Sequence, residues 1–126
     1  MTESHPNVEV ARALTARLLQ GDVQGVADLY HDDAIIWRNL DDRELVKKQM
    51  IKVVTFLSTS VKDIRYANVR VQATDTGFVQ QHVLEGIAPS GEAVRAFACL
   101  VATVRDGRIA RLDEYIDSAQ LAPLMK

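Results

Sequence analysis

The chain lacks most of what would mark a secreted, membrane-spanning or nucleic-acid-binding protein. Its only cysteine is Cys99, so no intramolecular disulfide can form, and the apolar run around it predicts a buried, inert thiol. Neither sign of charge dominates: 15 Lys and Arg stand against 17 Asp and Glu, a net charge of −2. That balance argues against nucleic acid or an anionic membrane as the main partner. The most apolar stretch, Ala96 to Val104, is far too short to span a bilayer. The opening MTESHPNVEV shows neither a basic n-region nor an apolar h-region, so a cytoplasmic protein is the expectation. No glycine loop suited to cradling phosphate and no Ser-centred nucleophile motif occurs. Asp32-Asp33 and Asp41-Asp42 keep no His or Cys at ligand spacing and read as turn and cap residues, so no metal is expected. Nothing in the sequence asks for a cofactor.

What remains is an ordinary globular composition, 48% hydrophobic and 25% charged over 126 residues. That length buries about two thirds of the unfolded surface. Without repeats, low-complexity segments or linker-like shifts, residues 1–126 are expected to form one domain. The first third predicts helices. Val8, Ala11, Leu14 and Leu18 follow helical spacing up to Gly21. Asp22 caps a second stripe of Val23, Val26, Ala27 and Tyr30, in which Gly25 suggests close packing. A short strand at 34–39 follows. Asp41 with Glu44 then predicts a capping box for a third helix bearing Val46, Met50, Val53, Val54 and Leu57.

Beyond Ser60 the pattern changes to strands at 61–75, 78–88, 93–105 and 108–117. Asp106-Gly107 between the last two is a strong hairpin signal. Helices first and strands afterwards predict an α+β domain with an antiparallel sheet. A strand of twelve residues spans roughly 40 Å, against a radius of gyration of about 14 Å for a chain this size. The sheet must curl around the helices, and a curled sheet incompletely filled by helices has a pocket.

Side-chain parity nominates residues for that pocket. In FVQQHVLEG, Phe78, Gln80, His82 and Leu84 share one face, where an amide and an imidazole need partners if the face is dry. In RIARLDEYID, Glu114 is the only acid on the face of Ala110, Leu112 and Ile116. Desolvation there should raise its pKa towards the range of general acid–base chemistry. On the early strand Ile35, Trp37 and Asn39 share a face, giving an aromatic wall and a second amide. His5 is expected in a loose tail, His31 in a turn, and Lys47 and Lys48 on a solvated helix face.

The stretches GDVQGVADLYHDDAIIWRN (21–39), Gly107-Arg108-Ile109 and EYIDSAQL (114–121) resemble the SnoaL-like family of the nuclear-transport-factor-two and ketosteroid-isomerase superfamily. The resemblance implies a cone-shaped α+β barrel, a curved antiparallel sheet wrapped around N-terminal helices, commonly dimeric through the sheet. By position, Gln80-x-His82 resembles the Gln-x-His pair of the polyketide cyclases of that family. Glu114 falls where those enzymes place an acid–base carboxylate, although they use Asp. Trp37-x-Asn39 is similar to the aromatic-x-Asn pattern of limonene epoxide hydrolases, whose Asp-Arg-Asp triad has no counterpart in Gln80, His82 and Glu114.

The combined expectation is cofactor-free acid–base catalysis on a hydrophobic, carbonyl-containing small molecule, of isomerase or aldol-cyclase type. Glu114 with His82 would move the proton, Gln80 and Asn39 would hold the oxyanion, and Trp37 would form the wall. The alternatives are a non-catalytic binder or sensor, an epoxide-hydrolase-like activity, or an assembly module with a vestigial cavity. Phe97, Cys99 and Val101 oppose the apolar face of Val94, Ala96, Ala98, Leu100, Ala102 and Val104. The three helices cannot cover both faces, so a homodimer, sheet against sheet, is expected.

Overall fold

The structure, a computed structural model, describes residues 5–125. The reading of the first ten residues as free of a leader falls partly on residues 1–4, outside the described residues. Helix α1 (Pro6–Leu19) buries the predicted stripe of Val10, Ala11, Leu14 and Leu18. His5 is no loose tail: its Nδ1 accepts from the Asn7 N–H at 3.0 Å and caps the helix. Gly21, at φ 70°, turns the chain into the Asp22-capped α2 (Val23–Ala27). The Asp22 carboxylate accepts from the Gly25 N–H at 2.9 Å. A Cβ on Gly25 would lie 2.1 Å from that carboxylate, so a larger residue there would make the Asp22 side chain shift.

Helix α2 is only five residues long, and Tyr30 leaves its predicted stripe to open β1 (Tyr30–Arg38). The strand therefore begins earlier than 34, and His31 lies on it with Nε2 2.6 Å from the Arg105 carbonyl. The Asp41–Glu44 capping box does not form. Residues Arg43–Val46 make a short strand, β2, antiparallel to β1, and α3 (Lys47–Ser60) starts only after it. The reason lies in the side chains: Asp41 pairs with Arg38, Asp42 accepts from Trp37 and Glu44 reaches Arg111. The Gln49 side chain instead accepts the Val46 N–H at 3.0 Å and caps α3. Lys47 is not simply solvated either, since its Nζ donates to the Tyr30 carbonyl at 3.0 Å.

Strands β3 (Lys62–Ala73), β4 (Gly77–Ile87), β5 (Ala93–Arg105) and β6 (Arg108–Ile116) complete one sheet, and a 3₁₀ turn (Ala122–Met125) ends the described chain. The order is β2-β1-β6-β5-β4-β3. Asp106 and Gly107 both take positive φ, 53° and 77°, as the tight β5–β6 hairpin requires. The sheet is not wholly antiparallel, because β1 runs parallel to β6. Strand β3 carries two register shifts against β4, at Asp63 and Asn68 with φ of 54°, and such bulges bend a strand.

The curled sheet gives the cone-shaped α+β architecture its concave side, filled by the helices. Leu14, Met50, Val54, Phe78 and Ile109 belong to the main core. A second cluster of Leu84, Ala96, Ile116 and Leu121 lies beyond it, and Tyr66 packs against both. Strand β5 alternates cleanly, with Val94, Ala96, Ala98, Leu100 and Ala102 buried. Phe97 and Val101 face outward and are exposed; Cys99, between them, is half-buried and not the core thiol expected. Among the described residues no helix is long and apolar enough to cross a membrane.

Candidate functional site

Between the helices and the inner face of the sheet lies a cavity of about 70 Å³. Its walls are mostly apolar, with Leu14, Ile36, Met50, Val54 and Leu112 among them, yet four polar side chains enter it: Tyr30, Arg38, Tyr66 and Glu114. Register explains the grouping. The parallel pairing sets Ile36 beside Leu112 and Arg38 beside Glu114, so one inner face of β1 and β6 delivers both charges. Tyr66 comes from β3, beside Leu84 of β4.

Glu114 is half-buried and lines the cavity. Protein surrounds its carboxyl, and that desolvation raises its pKa, while the Arg38 charge pulls it the other way. No described residue donates a hydrogen bond to it. Burial raises the hydroxyl pKa of Tyr30, and the charges of Glu114 and Tyr66 raise it further. Tyr66 is raised by burial and then by Glu114. Both phenols are thus protonated at neutral pH and available as donors. No buried side-chain oxygen or nitrogen is without a partner among the described residues.

Gln80 and His82 sit on the inner face as parity predicts, at 0% and 5% exposure, but they do not line the cavity. Gln80 Nε2 donates to Thr15 Oγ1 on α1 at 3.2 Å and lies 3.1 Å from His82 Nδ1. An amide nitrogen only donates, so Nδ1 accepts and the ring proton sits on Nε2. Burial drives the His82 pKa down to about 4, leaving a neutral imidazole at pH 7. Its ring lies flat on Tyr66, centroids 3.8 Å apart and planes at 8°. His82 therefore meets Tyr66, and Tyr66 stands between it and the cavity.

Trp37 and Asn39 are on the opposite face, which corrects their placement in the cavity wall. The β1 register turns Ile36 and Arg38 inward, so Ile35, Trp37 and Asn39 turn outward; a strand read in the wrong phase inverts every side chain. Trp37 donates to Asp42 at 2.8 Å and packs edge-on against Tyr115 at 5.2 Å. Asn39 extends the ladder with its side chain, accepting from the Ile116 N–H at 2.9 Å and donating to its carbonyl at 3.2 Å. Asn39, Arg70, Phe97, Tyr115 and Asp117 line an open groove of about 830 Å³, which Gln81, His82 and Val83 of β4 also border.

Sequence reasoning missed Tyr30, Arg38 and Tyr66. A usable signal existed for one: Ala34, Ile36 and Arg38 share parity, and Arg38 is the lone charge at that apolar end, as Glu114 is on β6. Among the described residues no group of three or more His, Cys, Asp or Glu is placed to hold a metal ion.

Comparison with known proteins follows the same line. Solved structures share the fold at low identity. An NTF2-like protein from Burkholderia xenovorans LB400 aligns over 100% of both chains with a TM-score of 0.79 and 18% identity. A candidate polyketide cyclase from Xanthomonas campestris pv. campestris aligns over 96% of this chain and 97% of its own, with a TM-score of 0.83 and 17% identity. A ketosteroid isomerase-like fold from Catenulispora acidiphila, solved in complex with trimethylamine, covers 85% of this chain and 84% of its own, at TM-score 0.75 and 10% identity. No curated protein matches the sequence significantly. The profile of the SnoaL-like domain matches residues 10–112, and the chain belongs to the SnoaL-like family.

Proposed function

We propose that the inner cavity binds a small carbonyl compound and that Glu114 moves a proton on the carbon beside its carbonyl, without a cofactor. The carboxylate takes the proton, and the carbon–hydrogen electron pair shifts to form the enolate. Tyr66, with Tyr30, donates to the oxygen on which the charge collects. Returning the proton to another carbon isomerises the substrate; attack of the enolate on a second carbonyl closes a carbon–carbon bond. His82, neutral and stacked on Tyr66, positions that phenol with Gln80 behind it. The carrying observation is the Glu114 carboxyl itself, raised in pKa by burial and lining one apolar cavity together with two protonated phenols.

The cavity limits the substrate. About 150 Å³ is what benzene occupies in an apolar cavity, so about 70 Å³ favours a molecule of a few heavy atoms over a steroid. The test is deuterium exchange into acetone in D₂O, followed by NMR. Exchange above the buffer rate, lost in Glu114→Gln, supports the reading. A wild-type rate equal to buffer removes it. The trimethylamine bound to the relative noted above favours a second reading, retention of a small ligand without turnover.

We also infer a homodimer through the outer face of the sheet, where Val69, Phe97, Val101 and Tyr115 are 39–52% exposed. A stripe of that kind is unusual on a soluble monomer, and a two-fold copy is its simplest cover.

A further inference from the structure

We propose that the inner cavity selects an anionic carbonyl compound, a small oxo acid of about three to four carbons, whose carboxylate is received by Arg38 while its carbonyl lies between Tyr66 and Glu114. This rests on the acid–base reading above and names its substrate class.

An arginine in the lining of a small apolar cavity needs a reason. Arg38 is turned inward by the β1 register and lies beside Glu114. Its Nε and Nη2 are held by the Asp41 carboxylate, with side chains 17% and 30% exposed. Among the described residues Nη1 has no partner. A structural arginine would spend its fork on protein acceptors, because each unmatched donor in a dry site is unfavourable. Here one edge is anchored on Asp41 and the N–H groups of Nη1 belong to a side chain that lines the cavity. A carboxylate is the ligand group that geometry and charge suit best. The volume limits what accompanies it to a short carbon skeleton.

The charges around the ligand couple binding to protons. The cavity presents Arg38 and Tyr30 from β1, Glu114 from β6 and Tyr66 from β3, with neutral His82 behind Tyr66 and Asp41 on the far side of Arg38. Helices α1 and α3 contribute only apolar side chains, such as Leu14 and Met50. A ligand carboxylate neutralises the one charge that favours ionised Glu114 and adds a repulsion against it. Binding must then favour protonated Glu114, and by reciprocity acid must favour binding. The same shift raises the Glu114 pKa further, in the direction its burial already drives it.

The test compares pyruvate with its neutral methyl ester on the purified full chain, by titration calorimetry in two buffers of different ionisation enthalpy. Pyruvate should bind at least tenfold tighter at pH 6, weaken as pH rises, and take up a proton on binding. Arg38→Met should lose that tenfold preference and Arg38→Lys should keep part of it. Because Arg38→Met also breaks the Asp41 pair, Asp41→Asn is the second probe: it leaves the guanidinium in place, and pyruvate should bind several-fold tighter. Glu114→Gln should still bind pyruvate with no proton uptake. Equal affinity for pyruvate and its ester, or an Asp41→Asn variant no tighter than wild type, overturns the proposal. Acetone exchange in the same preparations separates the two readings. Exchange without a pyruvate preference removes only the oxo-acid assignment. A preference for pyruvate without exchange supports Arg38 as the carboxylate receptor and removes the proton transfer.

Discussion

The imidazole of His82 lies flat against the phenol ring of Tyr66, 3.8 Å between centroids. The contact fixes the orientation of a cavity phenol from behind, using a ring that carries no charge at neutral pH. His82 is in turn held by Gln80 at 3.1 Å, and Gln80 by Thr15 of α1. The first helix thereby reaches the cavity through three side chains and one stack.

That neutrality has a signature in acid. The His82 pKa falls from 6.5 to about 4 on folding, so the unfolded chain binds the proton more strongly. Stability should be lost as pH falls from about 6.5 to about 4, on the order of 3 kcal/mol if this group acts alone. Glu114, raised in pKa, acts with the opposite sign and gains stability as it is protonated. Denaturant melts of wild type and His82→Gln at several pH values isolate the histidine. The stability difference between them should change across that window, and a constant difference would show that His82 titrates normally.

Glu114→Gln should lower acetone exchange by about 10² to 10⁴-fold, the range for a positioned general base. Because the raised pKa means that ionising Glu114 inside the cavity opposes folding, the same variant should be more stable than wild type at alkaline pH. The gain should shrink towards acid, where wild-type Glu114 is already protonated. Thermal melts at several pH values provide the check.

Thr15→Val removes both hydrogen bonds to a fully buried amide. An unmatched buried polar group costs about 1–3 kcal/mol. The melting temperature should drop, and the His82 ring resonances should shift although the substitution is on another element. Unmoved resonances would mean that Gln80 does not transmit the helix contact.

Phe97 is 52% exposed on the outer face, with Arg95 5.0 Å above its ring. Sedimentation at micromolar concentration should give about twice the 14.0 kDa chain mass, and Phe97→Glu should return the monomer. A wild-type monomer would leave the outer groove as a free surface.

The sequence carried the fold because its signals were local and redundant. The α1 stripe, the Asp106-Gly107 turn and the alternation of β5 each state their own geometry. The site was half legible for a sharper reason. Glu114, Gln80 and His82 lie on strands whose apolar phase is unambiguous, and all three face inward. Strand β1 is apolar in both phases: Ile35 and Trp37 compete with Ile36, and only its pairing to β6 decides between them. Tyr30 was hidden because α2 ends a turn early, and Tyr66 because the bulge at Asn68 breaks the period of β3. Of the missed residues only Arg38 carried a local signal, its parity with Ala34 and Ile36, and the opposite phase of β1 competed with it.

The parallel pairing of β1 with β6 gives the molecule an order of assembly. Tyr30 faces Ile109 and Arg38 faces Glu114, near opposite ends of the sequence, while β3, β4, β5 and β6 are joined by short turns. The C-terminal meander can form from neighbouring residues, whereas β1 has to wait for the last strand before it acquires its second neighbour. Non-local closure of this kind is slow. The cavity should therefore be a late product of folding, with Arg38 and Glu114 meeting only when the cone shuts.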